Sequence, residues 1–550
     1  MDQSIKGNLV DISNRRIYAV RLEISASGNV EKITPLAEID PFLPFLLPGF
    51  IDSHVHVESS MLVPSEFARL AVTHGTVASV SDPHEIANVC GMEGVEFMIA
   101  NGKKTPFKFY FGAPSCVPAT GYETAGASLD AAAVGALLQN QDIKYLSEMM
   151  NFPGVLQHDP QVMQKIAAAK ALGKPVDGHA PGLRGSEAKQ YIQAGISTDH
   201  ECYGAEEALE KLQLGMKILI REGSAARNFE ALIGLLNDHP DKIMFCSDDK
   251  HPDSLVTGHI NQLCARAVAK GIDLFKVLRA ACINPVLHYK LEVGMLQQGD
   301  AADFIMVKDL KKFEVIRTYI NGKLVAENGK SLIPPVSTLP INQFACKPKL
   351  PADFQVPADP GDGFFQCIEA LDGQLITNKL KLPKSALKLV SGHYHSNPQA
   401  DLLKIVVVNR YKDAPVAKAF IKNFGLLRGA IASSVAHDSH NIVAVGADDD
   451  SLSLAVNRVI EARGGISVAY PDVDGRISSQ LLALPVAGLM SAEDGYLVAE
   501  KYTAMDAKAK YLGSGLSAPF MTLSFMALLV IPHLKLSDKG LFDADQFSLV

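Results

Sequence analysis

The sequence predicts an α/β protein built on a (β/α)8 TIM barrel, flanked by a small β-sandwich and followed by a C-terminal α+β domain. Three observations predict it. Between residues 47 and 291, eight short apolar runs alternate with helical stretches, the pattern of parallel strands joined by crossover helices. Before and after that region the chain alternates apolar and polar positions with period two, as antiparallel strands do. A proline-dense stretch then separates off a last block of mixed strand and helix signals. At 550 residues the chain is too long for one ordinary core, so several domains are expected.

In order, Asn8 to Ile12, Arg16 to Leu22 and Asn29 to Ile33 read as short strands. The eight barrel runs end at His54, Asp82, Phe111, Glu148, His179, His200, Ile220 and Asp248. Gly299 to Val307 and Val315 to Val325 are again strands, and their Asn321-Gly322 pair reads as a tight turn that returns the chain to the first sheet. Residues 1–46 with 292–332 are therefore expected to form one small β-sandwich domain, and 47–291 the barrel. Residues 333–362, with prolines from Pro334 to Pro360, read as a linker, and 363–550 as the α+β domain.

Composition excludes several classes. Hydrophobic residues at 47% and charged residues at 20% match soluble globular chains rather than disordered ones. The net charge is −8 and no Lys/Arg run stands out, so no nucleic-acid partner is expected. The apolar stretch Phe520 to Ile531 ends at Pro532, short of the roughly 20 residues a membrane helix needs, so it reads as core. Residues Met1 to Lys6 carry no signal-peptide pattern, and the eight cysteines include no C-x-x-C. A reducing cytoplasm is expected.

The chemistry lies at the strand ends, because in a barrel of this kind the C-terminal strand ends face the active site. His54 and His56 close the first strand, Glu148 the fourth, His179 the fifth, His200 the sixth and Asp248 the eighth. On a strand, His-x-His puts both imidazoles on one face, where both reach one ion. Taken singly each residue has a plainer reading, with Glu148 a surface acid and Asp248 or Asp249 a helix cap. Together they form a ligand set for divalent metal. His54 and His56 would hold one ion, His179 and His200 a second, and Glu148 would bridge them. A water between two such ions becomes nucleophilic near neutral pH, and Asp248 would serve as both ligand and general base. The reaction class is metal-assisted hydrolysis.

Pro48 to His54, Val55 and His56, with the later histidines and aspartate, resemble the amidohydrolase superfamily. Its longer strings, His56 to Met61, Asp82 to Val89, Gly178 to Gly182, Ser247 to Asp249 and Phe520 to Phe525, are similar to the bacterial adenine deaminases. The resemblance spans nearly the whole chain. It implies an amidohydrolase-type barrel that hydrolyses adenine to hypoxanthine and ammonia in purine salvage, with two divalent ions, manganese or iron. His and carboxylate ligands also take zinc. Glu148 stands where many amidohydrolases carry a carboxylated lysine, which points to the glutamate-bridged subtype.

His84 and Glu85, on the rim after the second strand, are candidates for purine contacts or proton shuttling; the plainer reading makes Asp82 and Glu85 helix caps. Glu58, Ser59 and Arg184 are weaker candidates for substrate contact. Arg221 and Glu222 read as surface residues. His437 and His440 read as structural histidines, with an extra metal or a lid over the barrel as the other possibility, and Pro485 to Ser491 as a surface turn or a loop that approaches the barrel. A small-molecule purine is the expected partner, and Phe520 to Ile531 offers a surface for a homodimer. The competing activity is that of another glutamate-bridged amidohydrolase, such as an amino-sugar-phosphate deacetylase or cyclic amidase; the first needs a phosphate clamp, and no Arg/Lys cluster suited to one is evident.

Overall fold

A computed structural model describes residues 3–359, 363–472 and 474–550, so Met1, Asp2 and Pro360 lie outside the described residues. The barrel strands are β1 (Phe50–Val55), β2 (Thr76–Ser81), β3 (Lys108–Ala113), β4 (Ile143–Met149), β5 (Val176–Gly178), β6 (Thr198–Asp199), β7 (Lys217–Arg221) and β8 (Ile243–Cys246). β1 to β5 pair in order and in parallel, and so do β6 to β8. Two seams close the ring. At one, the Ser197 amide donates to the Val176 carbonyl (2.9 Å). At the other, the Asp248 amide donates to the His54 carbonyl (2.9 Å), and the His56 amide to the Asp248 carbonyl (3.3 Å). β1 is buried along its whole length, as a strand covered on both faces must be.

Glycine makes the first seam possible. A Cβ on Gly178 would lie 2.4 Å from the Thr198 carbonyl oxygen, so only glycine lets β5 approach β6 this closely.

The strands before and after the barrel share one eight-stranded sheet. Phe45–Pro48 joins its halves, running parallel to Gln3–Asp11 and antiparallel to Phe304–Val307. Both halves feed one apolar cluster, with Leu9, Val20 and Leu22 from the first and Phe304, Met306 and Tyr319 from the second. At the Asn321-Gly322 turn both residues have positive φ (47° and 71°), as the type I′ geometry of this dipeptide requires.

In the proline-dense stretch, the Leu350 amide is capped by Asp353, and Lys349 donates to Asp413 (3.0 Å). The Lys349 contact ties the stretch to the C-terminal unit. That unit is built on a second eight-stranded sheet, with Leu402–Val408 and Ile442–Gly446 at its centre. The helix Asp449–Glu461 covers one face, burying Leu452, Val456 and Val459 against Val406 and Ala444.

The other side of the unit packs onto the barrel. Phe520, Met521, Leu523 and Phe525 belong to the same apolar cluster as the barrel interior. The Phe520–Ile531 stretch is thus core, as its length implies, and being internal it offers no surface to a second copy. Pro485 to Ser491 does reach the barrel: the Ser491 amide donates to the Met61 carbonyl (2.8 Å), and the Val63 amide to the Ser491 carbonyl (3.0 Å). No helix among the described residues is long and apolar enough to cross a membrane.

Candidate metal centre

At the C-terminal strand ends, side chains from six strands and one distant loop converge. His54 and His56 project from the same face of β1, two residues apart. Their Nε2 atoms lie 3.2 Å from each other, and Asp248 Oδ1 is 3.6 and 3.2 Å from them. Donors placed about 2.1 Å from one tetrahedral ion lie about 3.4 Å apart, which is the spacing seen here.

Glu148, at the end of β4, faces two ways. Its Oε1 lies 3.4 Å from His56 Nε2 and 3.6 Å from His84 Nδ1. Its Oε2 lies 2.8 Å from His179 Nδ1 and 3.1 Å from His200 Nε2. One carboxylate oxygen per histidine group is what a bridge between two ions needs. The rings of His54 and His200 stack at 4.1 Å, which sets the two groups side by side.

Electrostatics favour cations in this space. Asp82, Glu85, Glu148, Glu201, Asp248 and Asp438 are all buried around it. Arg221 is the one buried guanidinium among them, and several buried anions without matching cations are costly. The buried His54 Nδ1 and His179 Nε2 have no hydrogen-bond partner among the described residues. Oxygen and imidazole donors with orphaned ring nitrogens fit divalent metal. His54, His56, Glu148, His179, His200 and Asp248 would hold it.

Asp248 is gripped from behind. Burial raises its carboxyl, but Arg221, whose Nη1 donates to Oδ2 at 2.6 Å, together with His54, His56 and His200 outweighs that and holds it well below the usual range. Oδ2 is thereby occupied, and Oδ1 is the oxygen turned toward the histidines. The residue adopts a left-handed backbone (φ 55°), a conformation that costs a non-glycine residue on the order of 1 kcal/mol.

The far wall comes from the C-terminal unit. Glu85 Oε1 accepts from His437 Nδ1 at 2.6 Å, and Oε2 meets His440 Nε2. Burial alone would raise the Glu85 carboxyl; His437, His440 and His84 reverse this and hold it well below the usual range. His437 is correspondingly lifted to about 9, burial notwithstanding, chiefly by Glu85. Phe525 stacks on the His437 ring (4.8 Å) and, with Leu375 and Leu528, forms the apolar side of the cavity.

With this geometry in view, residues 45–325 match the amidohydrolase family, and residues 374–548 match the adenine deaminase C-terminal domain. The adenine deaminase of Salinibacter ruber is 55% identical over 551 residues, covering 100% of this chain and 98% of that protein. The adenine deaminase of Sulfurovum sp. is 54% identical, covering 99% of each. The chain belongs to the adenine deaminase family. The family is not confined to bacteria, since the adenine deaminase of the archaeon Methanosarcina acetivorans is 54% identical over 92% of each chain.

Several expectations about this adenine deaminase family site need correction. Arg221 is no surface residue: it ends β7, is buried, and clamps both Glu201 oxygens as well as Asp248. Its neighbour Glu222 is half-buried and pairs with Arg266 (2.5 Å). Arg184 stays outside the cavity, exposed at the start of a helix and paired with Glu210 (3.0 Å). Glu58 and Ser59 are buried behind the cavity wall rather than lining it. Glu58 Oε1 accepts from the Ile86 amide (3.2 Å), and Ser59 donates to Asp249 (2.5 Å). Burial, with Glu85 nearby, lifts the Glu58 carboxyl to about 7.

His84 and Glu85 both line the cavity, and Glu85 is no helix cap, since its carboxylate is spent on the two C-terminal histidines. His437 and His440 take the lid position over the barrel. Glu201 and Asp438 were missed by the sequence reading. Glu201 directly follows a strand-end histidine, and Asp438, 3.8 Å from His84, lies between His437 and His440, so in both cases a neighbouring histidine was the available signal.

Proposed function

We propose that the protein hydrolyses adenine to hypoxanthine and ammonia. The full-length similarity to proteins named adenine deaminase carries the substrate, because it includes the C-terminal region that supplies the His437 wall. The site supports the reaction class. His54, His56, Glu148, His179, His200 and Asp248 would hold divalent ions, manganese or iron in this reading, which would supply Lewis acidity and a nucleophilic water near neutral pH.

The protein's own groups handle the protons. Asp248, with Oδ2 occupied by Arg221, takes a proton from the attacking water at Oδ1 and delivers it to the departing amine. The water oxygen bonds to C6 as the bond from C6 to the exocyclic nitrogen breaks. The second proton of the water ends on ring nitrogen N1. In this reading the transfer runs through Glu85 and its hydrogen-bonded partner His437, with His84 beside them; the Glu85–His437 contact at 2.6 Å supports it. Phe525, Leu375 and Leu528 exclude water from the opposite side. Among the described residues lining this cavity none is Lys or Arg, which suits a neutral base better than a sugar phosphate. All eight cysteines are free, in keeping with a role in cytoplasmic purine salvage.

The test is ammonia release by manganese-loaded protein from adenine, cytosine and guanine, with deacetylation of N-acetylglucosamine 6-phosphate in parallel. Release from adenine alone is expected. Turnover of the sugar phosphate, or silence on adenine with the metal sites filled, overturns the reading.

A further inference from the structure

The cavity at the metal centre has a volume of about 30 Å³. That is the room of roughly one water molecule and several times too small for a purine. Outward of it lies a second cavity of about 440 Å³, within the range of small-molecule pockets. The two share Met150, and neighbouring residues divide them: Leu375 and Leu528 face the inner space, Ile376 and Leu529 the outer. Loops after β4, β5 and β6 line the outer cavity, so it opens at the catalytic end of the barrel.

We propose that this outer cavity is a purine-binding entry chamber, where the free base stacks on Tyr203 and Phe547 before passing the Met150, Leu375 and Leu528 wall. The proposal rests on the adenine reading above. Tyr203 and Phe547 line the chamber and are 47% and 50% exposed, so their faces are open to a ligand. Flat aromatic faces at the rim of an apolar cavity suit a planar heterocycle. His533, whose Nδ1 is committed to Asp545 (2.5 Å), is the one titratable ring in the lining besides Tyr203. None of the described lining residues is Lys or Arg, so the chamber suits a neutral base and not a nucleotide.

The chain has no tryptophan, so Tyr203→Trp places a single tryptophan, selectively excited apart from the tyrosines, in the chamber. In manganese-loaded enzyme, Tyr203→Ala should raise KM for adenine about tenfold with kcat within about twofold, as expected on losing one stacking partner. Tyr203→Trp should restore KM, and hypoxanthine should quench its fluorescence while adenosine monophosphate does not. An unchanged KM in Tyr203→Ala, no quenching by hypoxanthine, or equal quenching by the nucleotide overturns the proposal. Wild-type enzyme that leaves adenine intact, while Tyr203→Trp is still quenched by hypoxanthine, would sink the deaminase reading and leave the chamber standing as a purine site.

Discussion

His54, His56, Glu148, His179, His200 and Asp248 stand at the ends of barrel strands, whereas His437, Asp438 and His440 reach the same cavity from a loop of the C-terminal sheet. Glu85 and its partner His437 are 352 positions apart in the chain. The strand-held half is positioned by main-chain ladders and seams, so its donor atoms inherit the rigidity of the barrel. The loop-held half is positioned by side chains, chiefly the grip of two imidazoles on Glu85 and the stacking of Phe525 on His437. The difference suggests a division of labour: the strands build the charge that activates water, and the lid places a proton beside the purine ring.

Breaking the strand-held half should cost most. Asp248→Asn removes the proton acceptor and should lower kcat about a thousandfold or more, with adenine still bound. Steady-state kinetics with metal analysis check this; a small loss with full metal content would move the base elsewhere. Arg221→Met leaves Glu201 and Asp248 buried without their cation, and breaking such a pair costs about 3–5 kcal/mol. Chemical denaturation should show the loss, and Arg221→Lys should recover part of it.

Glu85→Gln probes the loop-held half. It should reduce kcat about a hundredfold with metal content intact, because it removes a proton route and no candidate ligand of the strand-held set. A loss as large as that of Asp248→Asn, or loss of metal, would erase the distinction between the two halves.

Lys535 gives the most gradual effect, spread over several pH units. It is buried with no ion-pair partner among the described residues and donates to the carbonyls of Leu375 (2.6 Å) and Phe525 (3.0 Å), the apolar wall of the cavity. Burial pushes its pKa down to about 7. Above that value the folded chain binds fewer protons there than the unfolded chain, until the ordinary lysine pKa near 10.4 is passed. Stability should therefore rise with pH from about 7 toward 10 through this group, and the penalty is fully present below 7. Lys535→Met should flatten that slope in denaturation curves collected across this range.

Much of the strand-held half was legible before any coordinates. His54-Val-His56 announces two side chains on one strand face, and a histidine or carboxylate at the end of an apolar run needs only the barrel topology to become a ligand. Arg221 satisfied the same rule at the end of β7. Residue type alone points an arginine to the surface, and the burial of Arg221 depends on Glu201 and Asp248, which follow other strands. Arg184, Glu58 and Ser59 failed for the opposite reason: they follow strand ends in sequence, but their loops carry them outward or behind the wall.

By itself, then, the sequence determined the order and period of the strands, the residues at their ends and the tight turn at Asn321-Gly322, because these depend on local backbone geometry and on side-chain alternation. Tertiary structure alone decided that Glu85 is held by His437 and His440, that Arg221 occupies one oxygen of Asp248, and that the Phe520–Ile531 stretch becomes a wall of the cavity rather than an outer face. Such contacts join segments hundreds of residues apart, and no period or spacing along a chain records which distant surfaces will be buried against each other.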